Sequence, residues 1–184
     1  MKKLLLLLPI TLIFLLCGCA SREIDRGYLV SAIGFSKEKD VINLYIEALS
    51  SSDTTDKPSE KVTLTASGTS PQIAFENLSG TLVKPLYFEQ LGAVVFEKEI
   101  NRQALNFLKD IPDINYGVFL VKTNDIDKLF KAQTPNGLLG YDIIGLLKTN
   151  GKTKSSLYAI SREYFDVPTI NIENGRLHFL AKEN

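Results

Sequence analysis

The chain of 184 residues carries 21 Lys and Arg against 21 Asp and Glu, with one His, no Trp and two Cys. Balanced charge leaves no basic footprint for nucleic acid, and 45% hydrophobic with 23% charged residues is a globular composition, not a disordered one. Both cysteines fall within the first twenty positions and His178 stands alone, so the body of the chain cannot build a disulfide framework or a Cys/His zinc site.

Lys2 and Lys3 form a short positive region, Leu4 to Leu16 is an apolar run interrupted by Pro9, and Leu16-Cys17-Gly18-Cys19 follows at once. The run is shorter than the roughly 20 residues that span a ~30 Å hydrocarbon core, so it reads as a secretory leader and not as a permanent transmembrane helix. Leu16 to Cys19 has the form of a bacterial lipobox, with an aliphatic residue at minus three, Gly at minus one and Cys19 as the residue that takes the lipid. Cleavage before Cys19 removes 18 of the 184 residues and leaves 166, enough for one domain with a single core. Acyl chains such as palmitate hold such a domain on a membrane at about 0.8 kcal/mol per buried CH₂, without help from basic residues.

Residues 19–27 then form a polar, lipidated tether. Tyr28 to Phe35 and Val41 to Leu49 are β-branched-rich runs that predict a hairpin. The first run shows no alternation, as expected for a central strand covered on both faces. In the second, Ile42, Leu44, Ile46 and Ala48 alternate with Asn43, Tyr45 and Glu47, which predicts one buried and one wet face. Ser50 to Glu60 lacks any large apolar residue and reads as a loop, and Lys61 to Ser67 alternates as a third strand. Ser70 as N-cap and Pro71 at the first helical position open a helix whose apolar stripe is Ile73, Ala74, Leu78 and Leu82.

Pro85 to Gln90 leads into a buried strand over Leu91 to Phe96, and Ile100 to Ile111 is a helix that Pro112 ends. Gly117 to Lys122 predicts another strand, and Asn124-Asp125 caps a short helix carrying Ile126, Leu129 and Phe130. Leu138 to Leu147 and Ser155 to Phe165 predict two further helices. Thr169 to Ile172, the turn Asn174-Gly175 and Leu177 to Leu180 predict a hairpin with a type I′ turn, poorly supported by the rest of the core. The pattern is that of an α+β or α/β domain, a mixed β-sheet packed against several helices. Its divisions are a leader over 1–18, a tether over 19–27, the main domain over 28–166, and a terminal hairpin, or the start of a truncated second domain, over 167–184.

The search for chemistry is mostly negative. Five residues separate Gly145 from Gly151 where a phosphate loop needs four, and a helix, not a strand, precedes them. No serine sits in a Gly-x-Ser-x-Gly turn. Glu47, Glu89 and Glu97 lie on or beside predicted strands, but a solvated or salt-bridged surface role outweighs acid-base work for them. No catalytic residue, metal set or cofactor is expected. In Leu86 to Leu91, the run Tyr87, Phe88, Glu89 and Gln90 mixes aromatic and polar groups at a strand entrance. Such a run is either core or an apolar ledge offered to a partner, since Tyr and Phe are enriched at interface centres.

The lipobox Cys19 with Arg22-Glu23-Ile24 after it, Ala32-Ile33-Gly34 in the first strand, Gly68-Thr69-Ser70 at the helix opening and above all Leu86 to Ile100 resemble the C-subunit lipoproteins of spore germinant receptors, the Ger(x)C family. The likeness covers roughly Leu16 to Phe165. It departs from the family where Ala20-Ser21 stands in place of Trp-Asp and Gly34-Phe35-Ser36 in place of Gly-Ile-Asp. The resemblance implies a non-enzymatic subunit, lipid-anchored through acylated Cys19 on the extracytoplasmic face of the cytoplasmic, or spore inner, membrane. Its implied partners are the integral membrane subunits of a nutrient germinant receptor, with no nucleic acid involved and no cofactor. Tyr87, Phe88, Glu89 and Gln90 are the candidate partner contacts. Two rival readings are a lipid-anchored solute-binding protein, which needs two lobes flanking a cleft, and a lipid-anchored hydrolase, which needs a carboxylate pair face to face in a pocket.

Overall fold

The computed structural model describes residues 27–50, 59–115, 117–152, 154–158 and 167–180. The leader, Cys19 and the tether up to residue 26 lie outside the described residues, as do 51–58 of the serine-rich loop. No helix among the described residues is long and apolar enough to cross a membrane.

Strands β1 (Tyr28–Glu38), β2 (Val41–Ser50), β3 (Glu60–Gly68), β5 (Ala93–Glu97) and β6 (Phe119–Thr123) make one mixed sheet in the order β3-β2-β1-β5-β6. The short β4 (Leu86–Tyr87) also pairs with β1. β1, β2 and β3 are antiparallel neighbours, whereas β1, β5 and β6 run parallel. The division follows from the connections. The β1-β2 turn is only Lys39-Asp40, with Lys39 at φ 55, which returns the chain antiparallel. Parallel pairing needs long crossovers, supplied by helices.

Helices α1 (Pro71–Ser79) and α2 (Arg102–Asp110) cover one face of the sheet, and α3 (Ile126–Lys131) and α4 (Leu139–Thr149) cover the other. Each of the first three starts where a polar side chain accepts from the freed N–H groups of its first turn. Ser70 accepts from Ile73 N, Asn101 from Gln103 N and Ala104 N, and Asp125 from Lys128 N. Phe35 stacks on Phe96 and meets Phe107 edge-on in the first layer, while Val95, Val121, Ile126, Phe130 and Ile143 fill the second. β1 lies between the layers and is buried continuously from Val30 to Ser36, as its unbroken apolar run predicts.

Three expectations are corrected. The second face of β2 is not wet throughout: Glu47 is fully buried, because α4 and the chain before it close over that end of the sheet. Ser155–Leu157 does not begin an α-helix. Ser156 bridges Phe119, and Leu157 N donates to Val118 O at 2.8 Å, so the edge of β6 draws Ser155 and Ser156 alongside it before Leu157 and Tyr158 enter a 3₁₀ turn. The rest of that predicted helix, 159–165, lies outside the described residues. The final hairpin, β7 (Ile170–Glu173) and β8 (Arg176–Phe179), turns at Asn174 (φ 51) and Gly175 (φ 73), in keeping with a type I′ turn. It is no loose appendage, since Ile170 and Ile172 are buried against Val121, Ile126 and Ile143 in the second layer.

Candidate partner-contact surface

The run singled out at the strand entrance divides between core and surface. Leu86 and Tyr87 form β4 against the start of β1, held there by Tyr28 N donating to Pro85 O at 2.9 Å. Phe88 points inward, 6% exposed, with its ring 6.1 Å from that of Phe75. Tyr87 is half-buried and lies over Gly27, where a Cβ would fall 2.2 Å from the ring. Glu89 and Gln90 are exposed, and Gln90 Oε1 accepts from the Tyr141 hydroxyl at 2.7 Å, which ties this loop to α4. Three of the four residues therefore reach the surface, while Phe88 is part of the core.

Beside them lies a groove of about 530 Å³ between α1 and the end of α2, with Phe75, Phe88, Phe107 and Ile111 among its apolar walls and Asp110 and Asp113 also lining it. A smaller recess of about 310 Å³ adjoins it past Leu82, Val83 and Lys84. Val83 is 97% exposed at this rim. The groove exists because Pro112 stops α2 and Pro85 redirects the chain into β4, leaving the aromatic floor only partly roofed. Its chemistry is that of a mainly apolar slot with two acidic groups in its lining, suited to receiving apolar side chains from another protein.

Of the three strand-associated carboxylates, Glu89 is exposed, and Glu47 and Glu97 do not converge. Glu47 pairs in register with Ala32, which also pairs with Ala93, whereas Glu97 lies four residues further along β5. At about 3.3 Å per residue that places them some 13 Å apart along the strands alone. Glu97 Oε1 accepts from Ile126 N at 3.3 Å and so serves the start of α3. Glu47 Oε1 accepts from Ser31 Oγ and from Leu139 N, both at 2.6 Å, and its Oε2 faces Lys61 Nζ at 2.7 Å. A β-bulge between Val30 and Ala32 turns both Ser31 and Ala32 toward this side of the sheet, which is what lets the Ser31 hydroxyl meet Glu47.

Glu47 is the residue that sequence reasoning misjudged. Its signal lay elsewhere, in the Leu138 that precedes α4 with no capping side chain. A helix start without its own cap requires an acceptor from another element, and an anionic one also suits the positive end of the helix dipole.

The remaining candidates stay apart. His178 Nε2 lies 3.6 Å from Glu173 Oε1 within the terminal hairpin, and among the described residues no three His, Cys, Asp or Glu side chains gather as a metal site. Gly145 sits inside α4 and Gly151 beyond its end, so no strand-to-helix phosphate cradle forms there. A second cleft of about 550 Å³, over the ends of β1 and β5 and the start of α2, carries three basic groups (Lys37, Lys98, Arg102) against three acidic ones (Glu38, Glu97, Glu99), so neither charge dominates.

Comparison with known proteins gives one finding. The family model described as the spore germination protein N-terminal domain matches residues 20–167, spanning both covered faces of the sheet and ending before β7. No curated protein and no solved structure matches the chain. Matched over most of its length, including the strand-entrance run and its groove, the chain belongs to the spore germination protein N-terminal domain family, and its role lies in germination.

Proposed function

We propose that the protein is a non-catalytic subunit of a nutrient germinant receptor, anchored by acyl chains on Cys19 to the outer face of the cytoplasmic membrane and docked there to integral membrane subunits. The observation that carries this reading is the junction at Cys19: the family match begins at residue 20, directly after the lipobox cysteine. Only residues 20–26 separate that cysteine from Gly27, where the described domain begins. At no more than about 3.6 Å per residue, the eight steps from Cys19 to Gly27 hold Gly27 within roughly 29 Å of the lipidated cysteine. Confinement beside membrane proteins raises the effective concentration of a docking partner without any new contact.

Tyr87, Glu89 and Gln90, with the groove beside them, are the proposed contact surface for those subunits. Substituting Tyr87 and Glu89 by Ala separates docking from folding, because neither side chain is fully buried. The expected result is a normal thermal transition with co-purification of the membrane subunits lost; unchanged co-purification places the interface elsewhere. Cys19→Ala tests the anchor independently. It is expected to release the protein from the membrane fraction or leave an uncleaved precursor, and a free thiol at position 19 of the wild-type protein by mass spectrometry would refute it.

A further inference from the structure

The chain enters the domain at the rim of the groove. Gly27 is buried, with the Tyr87 ring and Pro85 O against the place a Cβ would take. Tyr28 then pairs with Leu86, and Pro85, Leu86 and Tyr87 all line the slot. Residues 20–26, Ala-Ser-Arg-Glu-Ile-Asp-Arg, lie outside the described residues and lead directly into this point. At no more than about 3.6 Å per residue, the five steps from Gly27 back to Arg22 reach at most about 18 Å, so this stretch stays beside the groove.

Its sequence alternates in the way the slot requires. Tyr28 and Val30 pack in the first layer, where the groove lies between α1 and the end of α2. Counted back by twos along an extended chain, Arg26, Ile24 and Arg22 fall on that same face, and Asp25 and Glu23 on the other. The groove offers what the first set needs. Phe75, Phe107 and Ile111 give apolar walls for an aliphatic side chain, and Asp110 and Asp113 give carboxylates for guanidinium groups. Its lining holds no Lys or Arg, Lys84 belonging to the adjoining recess. Asp110 is the last residue of α2, the end at which the helix dipole disfavours a carboxylate and favours a cation beside it.

We propose that residues 22–26 seat in this groove, with Ile24 in the apolar slot and Arg22 and Arg26 against Asp110 and Asp113, so that the domain clasps the segment joining it to Cys19. The clasp sets the orientation of the domain, holding the strand-entrance face toward Cys19. One isoleucine fills only part of about 530 Å³, and the remainder stays open to side chains of a partner. The clasp adds to the docking reading without resting on it, because seating is a property of the isolated chain and docking is read by co-purification.

The test is the rate at which a water-soluble maleimide labels Glu23→Cys, Ile24→Cys and Asp25→Cys in the purified full chain in detergent, with the wild type as the blank for its own cysteines. Labelling a seated side chain requires the seat to open, so Ile24→Cys is expected to react about tenfold more slowly than its two neighbours. Combined with Asp110→Asn and Asp113→Asn, it should react several times faster. Both exchanges lie at exposed positions, and Asn tolerates the φ of 67 at Asp113. A micelle that merely shields the segment slows all three positions alike. Equal rates at the three positions, or a slow Ile24→Cys that the groove exchanges leave unchanged, would overturn the proposal. Ile24→Ser gives a second readout: it should lower the thermal transition while Glu23→Ser leaves it in place, and no difference between the two refutes the clasp.

Discussion

Glu47 sits where three elements meet, accepting from the bulged strand β1 and the first turn of α4 while facing Lys61 on β3. A carboxylate taken wholly out of water is costly unless its oxygens are satisfied; here Oε1 accepts two hydrogen bonds, whereas Oε2 makes none and rests on the ion pair with Lys61 alone. Glu47→Ala leaves the Leu139 amide and the Ser31 hydroxyl without their acceptor, at about 1–3 kcal/mol for each buried donor left unpaired. Lys61→Ala instead strands the buried charge, a loss of about 3 kcal/mol. Urea unfolding of both single variants and the double variant should show the double costing less than the sum, because the two groups act on one another. Additive costs would mean that the ion pair contributes nothing. Tyr45, packed 5.5 Å from the Phe130 ring, offers a second test at this scale. Burial, and then the nearby carboxylates of Asp127, Glu97 and Glu38, push its phenol above the ordinary 10.0, against a lowering by its hydrogen bond with Ser36. Folding therefore favours the protonated phenol. That stability is complete below pH 10 and is lost as pH rises through the higher folded value, so Tyr45→Phe should lessen the alkaline loss of stability in pH-dependent melts.

Within α4 two glycines do opposite work. Gly140 lies so close to β1 that a Cβ there would fall 2.0 Å from Ser31 O, a backbone atom that cannot turn aside, whereas a Cβ at Gly145 would meet nothing within 4 Å. Close approach at Gly140 is also what brings the Leu139 amide onto Glu47. Ala is the better helix former by about 1 kcal/mol, so Gly145→Ala should stabilise the protein by up to that amount. Gly140→Ala should destabilise it by about 1–3 kcal/mol or more despite the same propensity gain. Thermal unfolding of the pair checks the contrast, and equal effects would show that α4 sits further from the sheet. Element identity itself was legible in the sequence wherever local chemistry decides it, as with Ser70-Pro71 and Asp125 at helix starts and Asn174-Gly175 at the turn. The bridge of Ser156 to Phe119 was not legible, because it is imposed by the edge of β6 and not by the local side chains.

At the scale of the whole molecule the terminal hairpin belongs to the second layer of the core. Deleting Thr169 to Asn184 removes Ile170 and Ile172 from their packing against Val121, Ile126 and Ile143, and also removes the cation-π contact of Lys152 over the Phe179 ring. Two buried isoleucines at about 2–3 kcal/mol each are a large share of a domain's net stability. Calorimetry of the truncated chain is expected to show a lowered and broadened transition, and an unchanged melting temperature would mark the hairpin as dispensable.

By itself the sequence determined the α+β class, the central place of β1, two of the four helix caps and the family likeness carried by residues 86–100, because each depends on residues near one another in the chain. Only the tertiary structure decided which face of β2 is dry at Glu47, that Phe88 turns inward while Tyr87 and Glu89 do not, and that β3 stands at the end of the sheet order. Those outcomes depend on what packs above a residue, often from far along the chain: Leu139 lies 92 positions from the carboxylate that caps it. Alternation reports only that a strand has two faces, and the cover over each comes from helices whose placement no local pattern encodes.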